Sequence, residues 1–257
     1  MAGPYVPSVV VITGASGGFG SAFAHRFAGL GSKLVLTGRD MRKLKALADG
    51  LETETHLIEL DLADSARIAP AFEALPAPFA DVDLLINNAG LALGMEPAHR
   101  VDPDDWIRMI DVNDKALVLV TRALLPGMVA RGRGHVVNIG STAGVYPYPG
   151  GNVYCASKAF VAQFSLALRA DLQGTGVRVS VVEPGMVQTD FSLTRFKGDA
   201  ERAKQVYADT VPLTAEDVAD TVEWLATLSP HFNVNRVEIM PTVQAFGSLA
   251  IHRTPKT

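Results

Sequence analysis

Along the chain, short β-branched runs alternate with stretches in which apolar residues return every three or four positions. The runs Val9 to Thr13, Lys33 to Thr37, His56 to Asp61, Asp83 to Asn87, His135 to Ile139, Val177 to Glu183 and Arg236 to Met240 predict seven strands. Between them, Phe19, Phe23, Phe27 and Leu30, and later Phe160, Phe164, Leu168 and Leu172, carry the helical period. Val9-Val10-Val11-Ile12 is continuously apolar instead of alternating, the pattern of a strand covered by helices on both faces. The rhythm therefore predicts an α/β protein: a doubly wound, Rossmann-type parallel sheet of about seven strands. Glycines punctuate the elements and no long polar linker divides them, so residues 1–257 read as a single domain. Residues 186–211 are the least regular stretch and follow a strand end, a place where long segments commonly cover a ligand.

Composition narrows the function. The 257 residues are 48% hydrophobic, ample for a large core, and the formal net charge is -4. The 23 basic residues are scattered, so neither a nucleic-acid groove nor a membrane-surface patch is expected, and small-molecule partners are favoured. Cys155 is the single cysteine, which excludes an internal disulfide and fits a reducing compartment. The apolar segment from Ala116 to Ala130 is broken by Arg122 and Pro126, short of the ~20 residues that a transmembrane helix needs. With no evident secretory signal at Met1 to Ser8, the chain reads as cytoplasmic. The six histidines show no HxxxH or HExxH spacing, so no metal is expected.

Chemistry enters at three places. Tyr154 and Lys158 stand at i and i+4, on one face if the segment is helical, so the ammonium is expected to draw the tyrosine pKa down from ~10. A shift of two to three units requires roughly 3 to 4 kcal/mol, within reach of a desolvated positive charge. The first strand runs into Thr13-Gly14-Ala15-Ser16-Gly17-Gly18-Phe19-Gly20 and then a helix, which makes a phosphate site. Gly14 allows the tight turn, Gly18 lets the backbone approach a pyrophosphate, and Gly20 permits close helix packing. After the second strand, where an NAD site places a carboxylate, stand Gly38 and Arg39, which favours the 2′-phosphate of NADP(H); Asp40, one residue on, is expected to cap the next helix.

With these motifs in order, the chain resembles the short-chain dehydrogenase/reductase family over nearly its whole length. Thr13 to Gly20 matches TGxxxGxG and Asn87-Asn88-Ala89-Gly90 matches NNAG, while Asn113, Ser141, Tyr154 and Lys158 match the catalytic set. The resemblance implies that Tyr154 exchanges a proton with the substrate oxygen and that Ser141 orients that oxygen. It implies that Lys158 lowers the Tyr154 pKa and binds ribose, and that Asn113 holds a water linking Lys158 to solvent. It assigns Asp61 and Leu62 to adenine, Asn88 to the adenosine side or to bracing the sheet, Ala89 and Gly90 to the cofactor, and Pro184, Gly185, Val187 and Thr189 to the nicotinamide loop. It also implies a homo-oligomer, tetramer or dimer, formed through the helices near Val112 to Ala130 and Val153 to Leu172.

Closer matches lie in Asn87 to His99, Gly140 to Gly144, Pro147 to Asn152 and Arg195 to Asp199, which look like the NADP-dependent 3-hydroxy acid dehydrogenases. That group acts on serine, allo-threonine and 3-hydroxypropionate-type acids or the matching semialdehydes, and its near relatives include sulfoacetaldehyde reductases. Ala116 stands where the family usually has glycine. An anionic substrate requires a cation or several donors at its far end. Arg195 is the first candidate, with Tyr148, Asn152 and the C-terminal His252 and Arg253 as further pocket residues. A catalytically silent nucleotide-sensing protein is the alternative from another class, and the intact catalytic set argues against it.

Overall fold

The computed structural model describes residues 5–247. In chain order its elements are β1 (Val9–Ile12), α1 (Gly18–Gly29), β2 (Lys33–Gly38), α2 (Met41–Ala48), β3 (Thr55–Glu59), α3 (Ser65–Glu73), α4 (Ala77–Ala80), β4 (Leu84–Asn87), α5 (Pro103–Ile110), α6 (Ala116–Arg131), β5 (Gly134–Ile139), α7 (Asn152–Asp171), β6 (Val177–Pro184), α8 (Phe191–Arg195), α9 (Ala200–Gln205), α10 (Ala215–Thr227) and β7 (Arg236–Ile239). A π-helical turn, Asp111–Lys115, joins α5 to α6. The strands form one sheet in the order β3-β2-β1-β4-β5-β6-β7, and every pair is parallel. All seven expected strands are present, with boundaries within two residues of those read from the pattern.

The continuous apolar run of β1 is explained by two cores. Val10 and Ile12 pack with Phe23 and Phe27 of α1 and Val218 and Val222 of α10, on one face. Val9 and Val11 pack with Ile68 and Phe72 of α3 and Val120 and Leu124 of α6, on the other. A strand between two helical layers has no solvent face, so both sets of alternating positions must be apolar.

Local signals set the helix ends. Asp40 caps α2 by accepting from the Arg42 and Lys43 backbone N–H groups, as expected. Thr214 and Asp217 form a reciprocal capping box on α10, and Gly132 ends α6 in the left-handed region at φ 66. Helix α6 continues through Pro126. Proline removes the N–H that would reach the Arg122 carbonyl, but both positions are exposed and water can take the bond. Residues 186–211 are more regular than expected: they carry α8 and α9, and Val187 makes an isolated parallel bridge to Leu213. Among the described residues no helix is long and apolar enough to cross a membrane.

Near the carboxyl edge, buried polar side chains join four elements. Asn87 Nδ2 donates to Thr121 Oγ1 and to Asn138 Oδ1, each at 2.9 Å, and Asn138 Nδ2 donates to Ser165 Oγ at 2.8 Å. Replacing Asn138 by Ala leaves one Asn87 N–H buried and unpaired, which is expected to lower stability by about 1–3 kcal/mol. Urea denaturation will measure it, and an unchanged midpoint would refute the structural role of this chain of amides.

Candidate active site

The carboxyl ends of β1, β2, β4, β5 and β6 meet around the point where the strand order reverses, between β1 and β4. There the chain forms a cleft of about 390 Å³. Every cofactor residue expected from the sequence borders it except Ala15 and Gly20. Those two lie behind the loop: Ala15 is fully buried in the core, and Gly20 packs the start of α1 against the turn. A Cβ on Gly20 would lie 2.4 Å from the Gly14 carbonyl oxygen, so only glycine allows that approach. Gly14 itself has φ +64. A Cβ on Gly18 would meet Thr189 at 3.0 Å, so the glycine turn and the loop after β6 face each other across a narrow gap. Such a cradle, with a helix N-terminus at its base, fits a pyrophosphate.

At the β2 end, Arg39 is exposed on the cleft wall beside Lys43 and near Ser16. Asp40 is turned away to the α2 N-terminus, where Arg42 pairs with it at 3.1 Å and, by hydrogen bonding, holds its carboxyl below the usual range. At this end the cleft is thus bordered by two cations, Arg39 and Lys43, and Asp40 does not face it. Asp61 lies at the far wall, where Arg108 Nη2 reaches both of its oxygens at 3.0 and 2.9 Å. Burial opposes its ionisation, but the Ala63 N–H, Arg108 and the charge of Arg39 outweigh that and lower its pKa. Asn88 braces the sheet, its Nδ2 donating to the Thr13 and Gly14 carbonyls at 2.8 and 3.2 Å.

Tyr154 and Lys158 lie on one face of α7 as their spacing predicted, and both are buried. Lys158 Nζ donates to the Ile139 carbonyl at 2.8 Å and stands 5.9 Å from the Tyr154 ring centroid. Burial lowers the Lys158 pKa to about 8. Tyr154 departs from the sequence expectation. Burial pushes its pKa up, and the opposing effects come first from the Ser141 hydroxyl and then from the Arg195 charge, with no contribution from Lys158. Asn113 lies behind the cleft in the π-helical turn. Its Oδ1 accepts from Leu91 N at 2.8 Å, and its two N–H groups go to the Leu91 carbonyl at 2.9 Å and to Ser157 Oγ at 3.0 Å. A Cβ on Gly90 would lie 3.4 Å from both Asn113 Oδ1 and Lys158 Nζ, so that glycine leaves the space between them open.

Arg195 reaches Tyr154 from α8. Its guanidinium carbon lies 4.9 Å from the Tyr154 ring centroid, 5.0 Å from Phe191 and 5.6 Å from Tyr148, and Nη2 donates to the Tyr148 hydroxyl at 2.7 Å. Arg195 Nε is buried with no partner among the described residues. Burial raises the Tyr148 pKa to about 12, so Tyr148 stays a neutral phenol. Asn152 is not in this group; its Oδ1 accepts from Trp106 Nε1 at 2.9 Å and from Val153 N at the start of α7. His252 and Arg253 lie outside the described residues. The sequence did not single out Lys43, Arg108 or Phe191, which reach the cleft from separate helices. No cluster of three or more potential metal ligands occurs among the described residues.

Comparison with known proteins places this geometry. The family model described as short chain dehydrogenase matches residues 8–200. The NADP-dependent 3-hydroxy acid dehydrogenase YdfG of Salmonella typhi is 53% identical over 247 residues, covering 96% of this chain and 100% of the relative. Sulfoacetaldehyde reductase 2 of Chromohalobacter salexigens is 51% identical over 248 residues, covering 95% and 98%. Among solved structures, the closed form of a serine dehydrogenase complexed with NADP+ superposes with a TM-score of 0.93 at 51% identity, covering 96% of this chain and 100% of that one.

Because the Gly20 approach leaves no room for a side chain, Gly20→Ala is expected to weaken dinucleotide binding at least about tenfold through displacement of the turn. Fluorescence titration with the nucleotide reads this directly, and undiminished affinity would count against the cradle.

Proposed function

The chain belongs to the short chain dehydrogenase family, a class of oxidoreductases, and within it we propose an NADP(H)-dependent enzyme that interconverts a short 3-hydroxy acid with its oxo acid or semialdehyde. The observation that carries this reading is Arg195, a cation set against the Tyr154 ring at 4.9 Å. A substrate whose hydroxyl or carbonyl oxygen meets Tyr154 and Ser141 then has its anionic end beside a guanidinium. Serine, allo-threonine and 3-hydroxypropionate have that shape. A sulfonate satisfies the same cation, so reduction of sulfoacetaldehyde to isethionate is the second reading, favoured by the 51% identity to a sulfoacetaldehyde reductase.

The residues fit the cofactor. Gly14 to Gly20 and Thr189 would hold the pyrophosphate, Arg39 with Lys43 the 2′-phosphate, Asp61 and Leu62 the adenine side, and Pro184, Gly185 and Val187 the nicotinamide end. When bound, NADP(H) supplies or accepts the hydride. The protein's own groups manage the proton. Tyr154 gives it to the substrate oxygen in reduction and takes it in oxidation, while the Ser141 hydroxyl orients that oxygen and stabilises charge developing on it. Lys158, held by Ile139, presents its remaining N–H donors to the cleft. Asn113 fixes the loop after β4 against α7, and the gap at Gly90 leaves a path for a water between Asn113 and Lys158.

Residues 186–211 act as a cover over the substrate in this reading. Arg195 O accepts from Gly94 N at 2.9 Å, and Lys197 pairs with Asp105 at 2.7 Å, so the segment is tied down at the anchor and just beyond it. A dimer or tetramer belongs to the same reading: Phe160 and Leu166 on α7 and Val129 on α6 stand exposed as apolar side chains.

Three measurements test it. Arg195→Met is expected to raise KM for 3-hydroxypropionate or malonic semialdehyde by about tenfold or more and to change KM for a neutral aldehyde little; equal effects on both would defeat the anchor. Arg39→Met with Lys43→Met is expected to raise KM for NADPH about tenfold or more while sparing NADH, and the ratio of the two cofactors decides it. Because the Ser141 hydroxyl lowers the Tyr154 pKa, Ser141→Ala moves that pKa up. Oxidation needs the phenolate, so its rise with pH shifts to more alkaline values. A pH–rate profile that keeps its wild-type midpoint would remove Ser141 from that role.

A further inference from the structure

We propose that Gln244, on the turn after β7, is the positioning residue of the nicotinamide loop: its amide oxygen fixes the Met186 backbone, and with it the wall that receives the nicotinamide end of the cofactor. The inference rests on the cofactor reading given above. Gln244 belongs to none of the sequence motifs and lies beyond residues 8–200, which the family model matches.

Strand β6 ends with Pro184 paired in parallel to Ile239 of β7, so the two chains leave the sheet side by side. The Gly185 N–H carries the pairing one bond further, to the Ile239 carbonyl at 2.8 Å. Beyond that point β7 has ended, and the next donor of the loop, Met186 N–H, has no strand to meet. The chain after β7 instead turns over residues 241–244, closed by a bond from Gln244 N to the Pro241 carbonyl at 2.9 Å. From this turn the Gln244 side chain returns to the loop, and its Oε1 accepts from Met186 N at 2.6 Å. The approach depends on Gly185, since a Cβ there would displace that same oxygen. The loop is held from elsewhere as well. Leu213 N donates to the Met186 carbonyl at 3.0 Å, Gln188 N donates to the Leu213 carbonyl at 2.9 Å, and the Tyr207 hydroxyl donates to the Val187 carbonyl at 3.0 Å. The Val187 N–H takes part in none of these bonds. Gln244 thus grips the backbone between Gly185 and Val187, both of which border the cleft.

The consequence is a wall set before the cofactor arrives. Met186 is half-buried, so its N–H, deprived of Gln244, is poorly served by water as long as the loop keeps its place. In the empty protein the loop then relaxes outward until water takes the bond. Binding of the nicotinamide end requires the loop to return, and the cost appears as lost cofactor affinity. The loss is confined to one half of the nucleotide. Arg39 and Lys43 stand at the β2 end of the cleft, on elements that share no hydrogen bond with Gln244 among the described residues. A ligand that ends before the nicotinamide therefore does not sense the amide.

The test uses the full chain and isothermal titration calorimetry with two ligands, NADP+ and adenosine 2′,5′-bisphosphate. The second carries the adenine, the 2′-phosphate and one 5′-phosphate but no nicotinamide. Gln244→Leu keeps the bulk of the side chain and removes the acceptor. In this variant the Kd for NADP+ is expected to rise about tenfold, while that for the bisphosphate stays within about twofold of the wild type. An unchanged Kd for NADP+ overturns the proposal. So does an equal loss for both ligands, which is the mark of a general disturbance of the fold. Should Gln244→Leu not fold, Gln244→Asn, one methylene too short to reach Met186, carries the same comparison. The wild type guards the underlying reading: if it binds neither ligand, the cofactor assignment fails and the proposal with it. If it binds both, that assignment stands whatever the variant does.

Discussion

Burial of seven parallel strands between two helical layers removes any solvent face from the middle of the sheet, and polar chemistry is displaced to its edge. Val9 to Ile12 of β1 is wholly apolar for that reason, and polarity returns as the strand ends, at Thr13 and Gly14. The same happens at Asn87 in β4 and Asn138 in β5, joined by a bond from Asn87 Nδ2 to Asn138 Oδ1 beneath the surface. Since the order reverses between β1 and β4, the loops leaving these two strands diverge, and the cleft opens between them. The position of the site thus follows from covering both faces of the sheet, before any catalytic residue is considered.

Within that cleft, electrostatics are set by scarcity of water. Tyr154, Lys158 and Asn113 are all buried, and specific hydrogen bonds hold Lys158 and Asn113. Burial pushes Tyr154 up and Lys158 down, so each is driven toward its neutral form. The structure counters this from different directions: Ser141 and Arg195 act on the phenol, and Asp114 acts on the ammonium. Arg195 has a double relation to Tyr154. It lies over the ring at 4.9 Å, and its charge opposes the upward shift of the phenol.

The helical segment after β6 illustrates how a charged stretch becomes ordered. Residues 186–211 have weak apolar periodicity and read as an irregular cover. They fold into α8 and α9 because tertiary partners lie within reach: Gly94 bonds the Arg195 carbonyl, Asp105 takes Lys197, and the Tyr207 hydroxyl bonds Ser192 and Val187. None of these contacts is local in the sense a helical period requires, so a pattern of neighbouring residues cannot announce them.

The sequence by itself determined the strands, the burial of those inside the sheet, the glycine turn and the i, i+4 placement of Tyr154 and Lys158, because each depends on residues a few positions apart and on the two backbone periods. It also separated Asp40, a helix cap, from Arg39, which faces the cleft. It could not fix side chains whose partners lie far along the chain. Asn152 read as a pocket residue because of its neighbours, yet Trp106, 46 positions earlier, claims its oxygen. Arg108 reaches Asp61 over 47 positions, and Phe191 and Lys43 come to the cleft from separate helices. The sign of the Tyr154 shift was likewise decided in three dimensions. Spacing supplies a cation one turn away, but only packing decides where that cation points and how much water remains around the phenol, and burial prevails here.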